Sequence, residues 1–292
     1  MYTIWSEAIT VMIDSLGCQP KRITSADMKE YLWIGDPLVW EDSAPLLFPF
    51  VGRFYDQKYL LGTQEYPAKI HGFIAKREFI PVVQDKETLV MHYCSTEEDK
   101  ATYVFPFEFI VTYTIISDTL TISYEIRNTG DFEMHFGLGF HPGFTVPLPQ
   151  DGIAVFEDYY LQFQQPILKE LLMEETCLFS GKEVSRILGD MNRLPLRHTL
   201  FDNDALIFRA WGDSVSLRNI SGSHEIRIDT KDFPYLTLWH HPNSADPFIC
   251  IEPCVSIPGK DKEIVSIAEK EDYVHLVSGG SYATKMMITC KG

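Results

Sequence analysis

The sequence predicts an all-β protein, a large antiparallel β-sandwich with few short helices. Three observations carry that expectation. Short runs alternate β-branched or aromatic residues with polar ones, turn residues punctuate those runs, and no segment longer than about a dozen residues keeps a 3.6-residue period. A parallel sheet would therefore have no helices to cover it, and antiparallel pairing is what remains.

In chain order, residues 8–14 bring Ile9, Val11 and Ile13 to one face, and short runs follow at 31–33, 59–61 and 78–83. Residues 88–93 alternate again, and residues 105–116 lead into the clearest signal in the chain. Thr112-Tyr-Thr-Ile-Ile116 and Leu120-Thr-Ile-Ser-Tyr-Glu-Ile126 flank Ser117-Asp118, a period of two on either side of a turn, which reads as a hairpin. Asn128-Thr-Gly130 marks the next turn. Residues 152–163, 205–209, 215–219, 225–229, 236–240 and 248–251 complete the strand set, with a turn at Ile220-Ser-Gly-Ser223. Residues 168–192 mix polar and apolar side chains around Gly181 and Gly189, and are expected to form a mobile loop with one short helix. No linker, charge block or repeat divides the chain, so residues 1–292 are expected to form one domain.

Composition narrows the partners. Hydrophobic residues make up 45% of the chain and charged residues 23%, enough to build a core and too little polarity for disorder. Lys and Arg number 25 against 41 Asp and Glu, and the resulting charge of −16 repels phosphate backbones and anionic lipid. Neither nucleic acid nor a membrane is an expected partner. The opening residues have no basic region, the apolar stretch after them is broken by Thr10 and Asp14, and nothing approaches the roughly 18 to 20 apolar residues of a membrane span. Six scattered cysteines suit reduced, mostly buried thiols, so the expected compartment is the cytoplasm. No sequence feature sets an oligomeric state.

The chain has no glycine-rich phosphate loop, dinucleotide fingerprint or nucleophile elbow, which removes ATP, NAD and serine-hydrolase chemistry. Cys250 and Cys254 are read as buried structural thiols, because no second pair stands at zinc-site spacing. His71 follows a Pro67 turn, and His141 sits in Gly139-Phe-His-Pro-Gly143, where tight backbone geometry aims a side chain. Each is either a site histidine or one satisfied by hydrogen bonds at a strand end. His240 and His241 are adjacent in a strand and point to opposite faces, so they cannot share one pocket. Glu252 ends the apolar run Phe248-Ile-Cys-Ile251, where burial raises its proton affinity; it is a candidate general base or half of a buried ion pair. Asp204 precedes an apolar strand as a site residue or a turn cap, and the fork of Arg53 suits a structural carboxylate or a ligand hydroxyl.

These segments resemble a known family. Trp33-Ile-Gly-Asp-Pro-Leu-Val-Trp40, Leu47-Phe-Pro-Phe-Val-Gly-Arg53, His71-Gly-Phe73, Gly139-Phe-His-Pro-Gly-Phe144, Phe201-Asp-Asn-Asp-Ala-Leu206 and Pro247-Phe-Ile-Cys-Ile-Glu-Pro253 look like the aldose 1-epimerase (galactose mutarotase) superfamily, in its LacX-like branch. The motifs keep the family's order over nearly the whole chain. The resemblance implies a galactose mutarotase-like sandwich that binds a sugar on one concave sheet face and interconverts its α and β anomers. It implies His141 as general acid, Glu252 as general base, and Arg53, His71 and Asp204 as holders of sugar hydroxyls, with Asp202 as the rival to Asp204. It implies no metal or organic cofactor. Trp33, Trp40, Phe73, Phe144 and Trp239 are candidates to cover the sugar. A carboxylate beside His141 is expected to favour the imidazolium needed first.

One departure bears on the substrate. Related sugar-phosphate epimerases carry His-Gly-Phe-Ala-Arg, whereas here His71-Gly-Phe-Ile-Ala-Lys-Arg77 puts Ala75 at the arginine's place. That favours a free hexose such as galactose or glucose over a hexose 6-phosphate. A catalytically silent sugar-binding protein on the same fold is the reading from another class.

Overall fold

A computed structural model describes residues 1–220, 222 and 224–291, and strands dominate it. Among the described residues the longest helical segment is the four-residue turn His198–Phe201. No helix there is long and apolar enough to cross a membrane.

Two antiparallel sheets organise the chain. The larger has nine strands in the order Arg193–Pro195, Tyr159–Phe163, Ser214–Asn219, Glu225–Asp229, Ser281–Lys291, Thr119–Asn128, Phe107–Ile116, Thr88–Cys94 and Ile80–Gln84. The other has eight, running Phe179–Ile187, Ile167–Met173, Leu206–Arg209, Tyr235–Trp239, Phe248–Cys254, Gly139–Phe140 and Leu46–Leu47, with Gly143–Thr145 also paired to Phe248–Cys254. Phe109, Val111 and Ile122 of the first sheet and Leu236, Leu238, Ile249 and Ile251 of the second share one buried cluster. The sheets therefore face each other as a sandwich, each such side chain contributing about 1.5–3 kcal/mol by leaving water.

The hairpin read at Ser117-Asp118 forms, with Ile116 opposite Thr119 and Ser117 at φ 54°. Asn128 makes its turn by accepting the Gly130 N–H at 3.0 Å. Ser221 and Ser223 of the expected turn at 220–223 lie outside the described residues.

Several expectations are corrected. Residues 168–192 are not a loop with a helix: Ile167–Met173 and Phe179–Ile187 are paired strands, followed by a three-residue turn at Asp190–Asn192. Phe179–Ile187 is exposed along most of both faces, so it has no buried face to alternate with and is held by its backbone ladder. Of residues 152–163 only Tyr159–Phe163 is strand, because the turn Phe156–Asp158 interrupts the run. Residues 31–33 contribute a single bridge, Leu32 to Phe144. Tyr2–Trp5, Gln19–Ser25 and the eleven-residue Ser281–Lys291 are strands that the sequence pattern does not signal.

Candidate active site

The strand Phe248–Cys254 is buried from end to end and runs through Glu252 and Pro253, so Glu252 sits inside the strand and not at its end. Alternation sends Ile249 and Ile251 into the sandwich core and Phe248, Cys250 and Cys254 to the opposite face, in separate apolar clusters. Glu252 shares that second face. On one side Tyr235–Trp239 pairs with it, Thr237 opposite Glu252 and Trp239 opposite Cys250. On the other side Gly139 pairs with Cys254 and Gly143 with Cys250, and carrying the register between them sets His141 opposite Glu252.

His141 Nε2 accordingly lies 3.3 Å from Glu252 Oε1, with the two side chains 9% and 3% exposed. All five residues singled out from the sequence, Arg53, His71, His141, Asp204 and Glu252, line one cavity of about 480 Å³. Asp202 does not line it.

Each remaining side chain is aimed by local backbone. His71 has φ 59° and Asp204 has φ 73°, left-handed conformations that cost a non-glycine residue of order 1–3 kcal/mol and persist where surrounding structure imposes them. Gly72 follows at φ 75°, and a Cβ there would collide with the Phe48 carbonyl. That close approach lets Phe48 bond through its backbone to His71 and Phe73. The Gly52 N–H donates to His71 Nδ1 at 3.2 Å, so the neutral ring carries its proton on Nε2. Arg53 Nη1 stands 3.6 Å from Asp204 Oδ2, bringing the two polar ends of the cavity wall together.

The electrostatics differ from expectation. Burial holds the His141 imidazole well below its ordinary range, helped by the neighbouring His71, and the Glu252 contact does not reverse this. Burial, with Asp204 adding repulsion, holds the Glu252 carboxyl well above its usual range. The expected imidazolium and carboxylate are thus disfavoured by burial, because removing both charges from water outweighs their attraction. His71 is pushed down to about 4 by burial and by Arg53, with Asp204 opposing, and is a neutral donor at pH 7. His141 and Glu252 together can take one proton from a ligand oxygen while giving one to its neighbour.

Of the five aromatic candidates, Trp40 and Trp239 line the cavity. Their rings lie 5.2 and 5.6 Å from the His141 ring and 5.8 Å from each other. Gly143 makes room for Trp40, since a Cβ there would come within 2.6 Å of Trp40 Cζ3. Trp33 lies behind, donating its indole N–H to the Trp40 carbonyl at 2.8 Å, while Phe144 is core and Phe73 packs against it. His241 lines the cavity and His240 does not, as their adjacency requires. Met173, Cys177, Thr237 and His241 also line it, beyond the residues expected from the sequence. The signal for His241 is its two-residue spacing from Trp239, and for Thr237 it is the ladder to Glu252. All six cysteines are free thiols, with Cys250 and Cys254 buried. Arg77 is engaged by Asp99 at 2.7 Å and takes no part in the cavity.

The sequence profile of the family described as aldose 1-epimerase matches residues 1–284. Protein LacX of Lactococcus lactis subsp. lactis, in its plasmid form, is 31% identical over 259 residues, covering 85% of each chain. The chromosomal form matches to the same extent. Among solved structures, a galactose mutarotase related enzyme from Lactobacillus acidophilus superposes with a TM-score of 0.94 at 28% identity, covering 100% of this chain and 97% of that one. A galactose mutarotase-like protein from Lactobacillus casei gives 0.92 at 28% identity, with 100% of both chains covered.

Proposed function

The chain belongs to the aldose 1-epimerase family, and on that premise we propose that it is an isomerase exchanging the α and β anomers of a free hexose such as galactose or glucose. The observation that carries the reading is the 3.3 Å contact of His141 and Glu252 within the cavity. The anomeric hydroxyl and the ring oxygen of a pyranose share one carbon, so the groups that serve them must be neighbours. In the reactive form Glu252 is a carboxylate and His141 an imidazolium. Glu252 takes the anomeric hydroxyl's proton, the carbonyl forms as the bond from the anomeric carbon to the ring oxygen breaks, and His141 protonates that oxygen. The aldehyde turns about its bond to the next carbon and closes by the reverse steps. The pair carries one proton before opening and one after.

Arg53, His71 through its Nε2 proton and Asp204 hold hydroxyls, and Trp40 and Trp239 cover the apolar faces of the ring. The engagement of Arg77 by Asp99 and the −16 charge support a free sugar over a sugar phosphate. We take residues 1–292 to act as one domain, in the cytoplasm, without a cofactor.

Optical rotation or NMR exchange of fresh α-D-galactose, α-D-glucose and glucose 6-phosphate tests the proposal, with acceleration expected for a free sugar. Acceleration of the phosphate alone would overturn the substrate class. Sugar binding in calorimetry with no rate enhancement would overturn the enzyme.

A further inference from the structure

The outer face of the nine-stranded sheet carries a second cluster of chemistry. In Thr88–Cys94, Leu89, Met91 and Tyr93 are buried while His92 and Cys94 project from the other face. In the adjacent Phe107–Ile116, Phe107, Phe109 and Val111 are buried and Glu108 projects outward. The ladder sets Cys94 directly across from Glu108. His92 Nε2 is 3.6 Å from Cys94 Sγ and 4.0 Å from Glu108 Oε2, and the three ligand atoms all lie within 4.8 Å of one another.

Tetrahedral zinc binds sulfur at about 2.3 Å and nitrogen or oxygen at about 2.0–2.2 Å, which places N and S roughly 3.6 Å apart and N and O roughly 3.4 Å apart. The first spacing is already met, and a small rotation of the half-buried Glu108 closes the second. We infer that His92, Cys94 and Glu108 form a surface site for a zinc-class divalent cation, with a fourth position open to solvent. A thiolate and an imidazole select such ions over calcium and magnesium, which take oxygen ligands. Arg127 Nη1, 3.5 Å from the same Glu108 oxygen, competes, but its Nε already bonds Glu125 at 2.7 Å and it can be released there. An exposed ion pair of this kind contributes little to oppose the metal.

Two other such groups exist among the described residues, and in each a member is already committed or buried. His135 and His275 bond each other through Nδ1 atoms 2.8 Å apart. His141, Cys250 and Glu252 belong to the cavity already described, where burial raises the proton affinity of the thiol and the carboxyl and so disfavours the deprotonated forms a metal needs. The site at His92 clips neighbouring strands together, so bound metal raises the unfolding temperature.

Titrating the metal-free protein with Co²⁺ tests this. The expected result at micromolar metal is a thiolate-to-cobalt absorption in the near ultraviolet with tetrahedral bands in the visible, saturating at one equivalent and displaced by Zn²⁺. Cys94→Ser abolishes the thiolate band, His92→Ala weakens binding at least tenfold, and Cys177→Ser, which removes the other partly accessible thiol, leaves the band intact. Absence of the band, or its survival in folded Cys94→Ser, overturns the site.

Discussion

Glu252→Gln separates chemistry from folding more sharply than any other change. Glutamine keeps the volume and the hydrogen-bonding outline of a side chain that is 3% exposed and 3.3 Å from His141, so packing is preserved and only proton acceptance is lost. A general base is worth roughly 10²- to 10⁴-fold, or about 2.7–5.4 kcal/mol of barrier. Stability moves the other way. The Glu252 carboxyl holds its proton in the folded protein where the unfolded chain releases it above its ordinary 4.5. Its stabilising contribution is therefore complete below 4.5 and declines as pH rises, by at most about 1.4 kcal/mol for each pH unit. The variant has no such decline and gains on the wild type through that range. Anomer exchange followed by polarimetry, beside urea unfolding at several pH values, reads both effects. Near-normal turnover in the folded variant would refute the assignment of the base, and parallel stability curves would refute the raised proton affinity.

Two further outcomes follow from the same geometry. Gly143→Ala places a methyl within 2.6 Å of Trp40 and drives the indole into the cavity, costing about 1–3 kcal/mol of stability and raising KM roughly tenfold with a smaller change in kcat; an unaltered KM would show that the indole does not cover the sugar. Burial pushes His141 down from 6.5 and Glu252 up from 4.5, so the limbs of a profile of kcat/KM against pH belong to the coupled pair and move away from those ordinary values, and a bell whose limbs stay at 4.5 and 6.5 would contradict the shifts.

Legibility in the sequence follows the physics of each part. The hairpin around Ser117 is readable because one face is buried and the other wet, so alternation is written directly into Thr112 to Ile126. Phe179–Ile187 is unreadable for the opposite reason, having little to bury. Ser281–Lys291 does bury one face, through Thr284, Met286, Ile288 and Cys290, but Met and Cys are weak markers of a strand and the run lacks the aromatic and β-branched density of the hairpin. His141 and Glu252 are legible as polar residues in apolar, geometrically tight surroundings. Their meeting is not, because it depends on a register between strands 111 positions apart in the sequence that only the folded ladder sets. Their protonation escapes the sequence because a sequence shows a neighbouring charge and conceals the depth of burial that outweighs it.

That burial bears directly on the proposed chemistry. The reactive pair is charged, carboxylate beside imidazolium, and ring opening converts it to a neutral acid and a neutral imidazole without changing its proton count. Burial of the pair penalises the first state and favours the second, so the protein's own electrostatics pull the proton transfer in the direction that opens the ring. Closure must restore the charged pair, and in the proposed complex the hydroxyls assigned to Arg53, His71 and Asp204 offer fixed dipoles to those charges. A cavity more open to solvent would stabilise the ion pair and remove that pull, while one without polar walls would leave the pair permanently neutral. The one proton shared by His141 and Glu252 is useful because burial favours the neutral arrangement of the pair, while polar groups beside it oppose that preference.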